Sequence, residues 1–504
     1  MPATARPTQA HSHAGGPAGA KPKLYNPRHP ERTLLYQTIA DHFETWHELA
    51  SAGQFDGQGD HHSPKPYVRQ AFRKYLECGI FAYGFARAWC DDCGHDYFVA
   101  FSCKGRGVCP SCNTRRMVET AAHLTDHVFP RLPVRQWVLS VPKRLRYFVQ
   151  RDGAVLNMVL RIFLRVIAQS LQTHSPGAAN VDKIALHIGA VAFIHRFGSS
   201  LNEHVHFHDF HPATGIGEPA VAQAQATLRR RILRAFVGRG LLESFEAKDM
   251  LAYQHSGFSV DAGVCIQAHD RAGLERLLRY CARPPFSMER LRKAGNELVY
   301  HCAKQYSEPS SDKRGFKADE LTLTPLELIN RIAALVPPPR THRHRYFGVL
   351  APNSPCRAAV TAMAAPLQAA TAQTEPSTTG EGAPSAVLLD KALSNTLEPA
   401  QPKRPAHYLW AVLIARIYEV FPLLCTNCGG QMRLIAFITH SADIRQILDH
   451  IGVDSEPPHI SPARGPPLWD GCDVQVGEGS QIEPDWDLAA QPAPDYAVDQ
   501  RVNW

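Results

Sequence analysis

At 504 residues the chain is too long for one compact domain, and its length suggests about three structural units. Hydrophobic residues make up 44% and charged residues 20%, the balance of a soluble globular protein. Lys and Arg outnumber Asp and Glu by 54 to 47, a net charge of +7 that is compatible with an anionic partner without establishing one. No run of eighteen or more apolar residues occurs, and the N-terminal "MPATARPTQAHSHAGGPAGAKPKLYNP" lacks the apolar segment of a signal peptide. The expectation is a soluble, intracellular protein with no membrane partner. Thirteen cysteines, several as Cys-x-x-Cys, then point to metal rather than to a secreted disulfide scaffold.

Residues 1–32 are rich in Ala, Pro, Gly and His and predict a disordered tail. Helical periodicity follows in "RTLLYQTIADHFETWHELA" and again in "YVRQAFRKYLECGIFAYGFARAW". A cysteine-rich segment runs from Cys90 to Cys112, so residues 33–120 form a helical, zinc-binding unit. Mixed α and β structure occupies 121–350. There "RQWVLSVP", "GAVAFIHRF", "NEHVHFHDF" and "GFSVDAGVCIQA" read as strands. "GAVLNMVLRIFLRVIAQSLQTH", "ATLRRRILRAFVGRGLL" and "RAGLERLLRYCA" read as helices, the last stopped by Pro284 and Pro285. The fold class is therefore α+β. Residues 351–405 have linker composition, and 406–504 form a small C-terminal module with a Pro- and Asp-rich disordered end.

Cys90 and Cys93, then fifteen residues, then Cys109 and Cys112 match the two-knuckle zinc template. Four thiolates leave no open coordination position, so that zinc is structural. Cys103 and His95 are possible replacements for one member. The flanking Lys104, Arg106, Arg115 and Arg116 form either a phosphate-contacting surface or a solvated rim. The pair Cys425 and Cys428 has no matching pair downstream, only Cys472 and histidines such as His440 and His450. It reads either as part of a zinc site or as a Gly-rich turn with reduced thiols.

In "NEHVHFHDF", His204, His206 and His208 share one face of a strand while Val205 and Phe207 share the other. Three imidazoles in register point to a divalent metal with coordination positions left open for a phosphate oxygen and water. Either adjacent pair, His204 with His206 or His206 with His208, satisfies the two-residue spacing. Tyr280 lies in the last turn of its helix between Arg279 and Arg283. A phenol needs a nearby cation to become a competent nucleophile.

"CDDCGHDYFVAFSCKGRGVCPSCNTRRM", "RQWVLSVP", "RFGSSLNEHVHFH", "LLRYCARPP" and "CTNCGGQMRLIAFIT", in this order, resemble the insertion sequence 91 family of rolling-circle transposases. The resemblance covers most of residues 33–460. It implies a zinc domain followed by an antiparallel-sheet HUH (His-hydrophobe-His) nuclease that attacks single-stranded DNA at transposon ends. The expected products are a 5′-phosphotyrosine and a free 3′-hydroxyl. On this resemblance His204, His206 and His208 hold catalytic Mg²⁺ or Mn²⁺, Tyr280 is the nucleophile, and Cys90, Cys93, Cys109 and Cys112 hold zinc. Arg279 and Arg283 would grip adjacent phosphates, and the expected location is cytoplasmic, on the nucleoid.

The sequence departs from the family in two places. The positions four residues before and after Tyr280 are Arg276 and Pro284, which implies single-tyrosine chemistry. The family's histidine strand continues into an apolar run ending near Asp-Gly, whereas here His208 leads straight into "DFHPATGIGEP". That departure bears on the pairing of the sheet and allows an alternative, a catalytically decayed, zinc-dependent DNA-binding remnant. A second alternative is a metallo-hydrolase, since "HVHFHDFH" is similar to a His-x-His-x-Asp-His cluster. Its order differs, because Asp209 directly follows His208 and the next histidine is His211. In "HRHR", residues 342–345, Arg343 replaces the hydrophobe, which leaves a basic arm on DNA or a solvated loop.

Overall fold

The computed structural model describes residues 28–55, 63–175, 180–182, 186–198, 201–212, 215–253, 257–302, 320–365, 425 and 427–464. The chain divides into two compact units. Among the described residues, one holds 79–101 together with 425 and 427–457, and the other holds 30–78, 102–365 and 458–464. The expected tail, most of the expected linker and the C-terminal end lie outside the described residues.

The larger unit begins with α1 (Leu34–Ser51), capped by Thr33, whose hydroxyl accepts from the Tyr36 amide. Leu35, Ile39, Phe43, Trp46 and Ala50 recur at helical spacing and are all buried. Phe43 stacks on Phe72 of α2 (Pro66–Leu76) with ring centroids 4.8 Å apart. The second predicted helix ends at Leu76, earlier than its apolar period suggests, and residues Phe85–Cys90 form a strand instead. Gly79 and Gly84, at φ of 85° and 109°, turn the chain between them. A side chain at Gly84 would meet the Ile438 carbonyl at 2.8 Å.

Helix α3 (Pro110–His127) leads into the central sheet. Its strands are β3 (Val134–Ser140), β4 (Gly189–Phe197), β5 (Glu203–Pro212), β6 (Ser259–Asp261), β7 (Cys265–Ile266) and β11 (His344–Gly348). All pair antiparallel in the order β11-β4-β5-β3-β6, with β7 also on β3. The predicted strand "GFSVDAGVCIQA" is thus two short strands, β6 and β7. Despite the departure after His208, β5 keeps both neighbours: Asp209 and Phe210 pair with β3 and β4, and the register with β3 runs on to Pro212.

Helices cover both faces of this sheet. On one, α5 (Gly153–His174) and α6 (Glu218–Val237) pack with α4 (Lys143–Arg151) and α7 (Ser244–Ala252) on Trp137, Leu139, Ala192, Ile194, Val205 and Phe207. Asp152 caps α5 by accepting from the Ala154 and Val155 amides. Helix α5 is long and apolar enough to cross a membrane, and half of its most apolar window is buried here. Each fully buried Phe or Leu in this layer contributes roughly 1.5–3 kcal/mol. On the other face, α3 and α8 (Arg271–Ala282) pack on Val134, Val191, Phe193 and Phe210. A small sheet, β8 (Leu291–Ala294), β9 (Glu297–His301) and β10 (Glu320–Leu323), and α9 (Pro325–Ala334) complete the described core. Residues expected to begin a linker at 351 instead form α10 (Arg357–Ala362), and Ala364 is buried.

In the smaller unit, β1 (Phe85–Cys90) lies between β2 (Asp96–Ala100) and β12 (Met432–Ile438). Helix α11 (Ser441–His450) buries Ile444 and Leu448 with Phe85. The C-terminal module is therefore not self-contained: its strand completes a sheet begun by residues 85–100.

A three-histidine site beside an exposed tyrosine

Alternation along β5 places His206, His208 and Phe210 on the sheet face covered by α3 and α8. The hairpin from β4 to β5 sets His195 directly opposite His206. Ring nitrogens of His195, His206 and His208 all lie within 4.8 Å of one another, and His195 Nδ1 is 3.1 Å from His206 Nε2. His204, expected as the third member, stands outside this trio, with its Nδ1 3.0 Å from Nδ1 of His206. The reason is strand geometry. Residues i and i+4 of a strand are about 13–14 Å apart, too far to converge on one ion, whereas a cross-strand partner is about 5 Å away. His195 was legible only from the register of the hairpin.

Burial lowers the pKa of each imidazole. His206 falls to about 3, helped by His208 and His204, and His208 to about 4, helped by the Arg283 charge. His195 is held well below its usual value by burial and then by its two histidine neighbours. All three are neutral at pH 7 and offer lone pairs. The His195 Nε2–H donates to the Cys281 carbonyl of α8, which leaves Nδ1 facing His206. His208 Nδ1 lies 2.8 Å from the Gln136 amide, while its buried Nε2 has no hydrogen-bond partner among the described residues. An orphaned imidazole nitrogen beside two convergent ones suits a bound cation.

Tyr280, in the last turn of α8, is 45% exposed, and its ring centroid is 6.5 Å from that of His208. Arg283, just past the helix, places its guanidinium 4.2 Å from the centroid of the tyrosine ring. Arg279 instead pairs with Glu275 one turn back, at 2.5 Å. Lys104 is exposed. The expected DNA contacts Arg106 and Arg343 are engaged elsewhere. Arg106 donates to the carbonyls of Thr341 and Pro338, and Arg343 donates to the Arg106 carbonyl, so the two guanidinia clamp a loop. Burial accordingly lowers the Arg343 pKa to about 10. On the Arg229–Arg239 stretch, Arg229 bonds the Met250 and Leu251 carbonyls. Arg231 and Arg239 join Arg161 and Arg165 in lining a cavity of about 600 Å³.

The cysteines sort differently from their spacing. Cys109 and Cys112 cluster with Cys78 and Cys103, with Sγ···Sγ separations of 3.5 to 3.8 Å. Cys90 and Cys93 cluster instead with Cys425 and Cys428. The single site of Cys90, Cys93, Cys109 and Cys112 is thus replaced by two. Cys103, read as a possible substitute ligand, is a full member, and Cys78 had no Cys-x-x-Cys signal to announce it. Tetrahedral Zn–S bonds of about 2.3 Å separate sulfurs by about 3.8 Å, close to what both clusters show.

Two family models match the chain. The transposase zinc-binding domain of the insertion sequence 91 type (Zn_Tnp_IS91) matches residues 49–141, and the Y2_Tnp transposase model matches residues 209–358. The first spans Cys78 to Cys112, and the second spans Tyr280 and Arg283. No curated protein and no solved structure matches the chain. A zinc-binding region followed by a transposase region, in this order, identifies a DNA-cleaving DNA transposase, and both matches are consistent with the insertion sequence 91 family.

Proposed function

We propose that this transposase is an HUH-type nuclease that nicks and rejoins single-stranded DNA at transposon ends, with Tyr280 as nucleophile and His195, His206 and His208 as the metal ligands. The observation that carries this reading is the exposed Tyr280 beside His208 on the sheet face where the three imidazoles converge. A divalent cation on these nitrogens would neutralise charge on the non-bridging oxygens of the scissile phosphate. An all-nitrogen donor set suits Mn²⁺ better than Mg²⁺.

The protein's own groups have defined roles. The Tyr280 oxygen attacks phosphorus as the bond to the 3′ oxygen breaks; the phenol proton leaves to solvent and the departing 3′ oxygen takes one up. The new phosphotyrosine retains the phosphodiester energy, so the reverse attack by a 3′-hydroxyl reseals a strand without ATP. Arg283, 4.2 Å from the ring centroid, offers its charge to the transferred phosphate. The Cys281 carbonyl couples the two halves of the site, because it orients His195 from the residue next to Tyr280. With Gln136 turned so that its oxygen accepts from Nδ1–H, His208 presents its Nε2 lone pair. Cys78, Cys103, Cys109 and Cys112 hold a structural zinc in the matched zinc-binding region. Action on DNA in the cytoplasm, on the nucleoid, fits this chemistry.

The test is incubation of the full chain and of Tyr280→Phe with labelled single-stranded and duplex DNA from the element's end, with Mn²⁺ or Mg²⁺, on a denaturing gel. The expected result is a metal-dependent covalent adduct on single strands, lost at least about 10³-fold in Tyr280→Phe. Binding without any adduct under either metal would sink the nuclease reading and favour a DNA-binding remnant.

A further inference from the structure

Cys90 and Cys93 lie within the zinc-binding match, but Cys425 and Cys428 lie outside both matched segments. We infer that these four thiols bind a second zinc ion, one that fastens the C-terminal strand β12 to the hairpin β1–β2. This inference stands apart from the nuclease reading, since it uses none of its residues.

The geometry supporting it is threefold. First, the sulfurs converge: Cys90 Sγ is 3.5 Å from Cys428 Sγ, Cys93 Sγ is 3.5 Å from Cys425 Sγ, and all four lie within 4.8 Å of one another. A disulfide needs about 2.05 Å, whereas tetrahedral zinc thiolate needs about 3.8 Å. Second, the two Cys-x-x-Cys turns are copies of one another. Gly94 N donates to the Cys90 carbonyl and Gly429 N to the Cys425 carbonyl, each at 2.9 Å. Cys90 N donates to the His95 carbonyl at 3.0 Å and Cys425 N to the Gly430 carbonyl at 2.8 Å. The glycine after the second cysteine adopts φ of 72° in one turn and 76° in the other, a conformation that L side chains resist. Third, backbone amides already face the sulfurs: Asn427 N is 3.4 Å from Cys425 Sγ and Gly430 N is 3.4 Å from Cys428 Sγ, the contacts that stabilise thiolate charge.

The placement also explains why β12 joins this sheet. Cys90 ends β1 opposite Met432, the first residue of β12, so a metal at the knuckles pins the start of the β1–β12 ladder. Cys90 and Cys425 are buried with Ala88 and Met432, while Cys93 and Cys428 face solvent. With four sulfur ligands the ion has no open position and serves structure alone.

Zinc content of the purified full chain is the test. Cys93→Ser, Cys428→Ser and the double variant are each expected to carry one zinc fewer than wild type, with the double losing no more than either single. Cys103→Ser combined with Cys428→Ser is expected to lose two. Equal zinc in wild type and Cys428→Ser would overturn the proposal. On the unaltered chain, alkylation followed by peptide mapping should find Cys93 and Cys428 protected, despite their exposure, until a strong chelator is added. Free alkylation of both without chelator, or recovery of Cys425 and Cys428 in a disulfide, would also overturn it.

Discussion

The two faces of β5 carry similar residue types and do opposite things. On the α3–α8 face, His206 and His208 meet His195 across the hairpin, and their ring nitrogens converge beside an exposed tyrosine. On the face of Val205 and Phe207, the same alternation puts Asp209 and His211 into the sheet's other core, where both are fully buried. Among the described residues, both carboxylate oxygens of Asp209 lack a hydrogen-bond partner, and its cross-strand neighbour Trp137 also has an unpartnered Nε1. Burial alone makes a polar residue costly. Convergence with other ligands and an opening to substrate make it a site.

The largest expected contrast is within the histidines. His195→Ala should reduce metal-dependent adduct formation by about 10²-fold or more and raise the Mn²⁺ concentration required, whereas His204→Ala should cost less than about 10-fold. A Mn²⁺ titration of adduct yield for both variants measures this. The reverse ranking would return His204 to the site and remove His195.

On the other face, replacing Asp209 by Leu should stabilise the protein. Its pKa is raised well above the usual carboxylate value by desolvation, so folding holds the proton that the unfolded chain releases. The resulting penalty is absent below the unfolded pKa and grows as pH rises above about 3.9. Asp209→Leu should therefore raise the denaturant midpoint at pH 8 by the equivalent of about 1–3 kcal/mol, and by less at pH 4. A lower midpoint at pH 8 would mean the carboxyl has a partner.

The smallest effect per unit of pH concerns imidazoles outside the trio. Burial lowers His211 to about 3, and on β11 it lowers His344 to about 4, assisted by His123 and His342. Both bind a proton in the unfolded chain before they do in the folded one. Their contribution is complete above about pH 6.5 and is lost as pH falls toward 4, by up to about 1.4 kcal/mol per pH unit for each. Urea midpoints between pH 7 and 4.5 test this, with His211→Asn expected to flatten the slope.

Much of this molecule was legible one segment at a time. The periods of α1, α5 and α8, the alternation along β5 and the Cys-x-x-Cys turns are local, because each follows from side chains a few residues apart. Tyr280 was legible for the same reason, standing in the last turn before Pro284. What the local pattern misread were groupings. Cys90 and Cys93 looked like partners of Cys109 and Cys112, yet they meet thiols 338 and 332 residues further along the chain. His204 shares the spacing of His206 and His208, yet the register of β4 on β5 brings His195, and not His204, into the converging trio. Arg106 and Arg343 looked like free cations until the fold gave them carbonyls. The physical reason is one of range. Conformational preference and side-chain direction are set by near neighbours, so the sequence by itself determined most of the described helices and strands and the donor chemistry, but not the strand at Phe85–Cys90 or the helix at Arg357–Ala362. Which donors converge, and which guanidinia are taken up by backbone carbonyls, depends on strand pairing and packing between distant segments, and only the tertiary structure decided it.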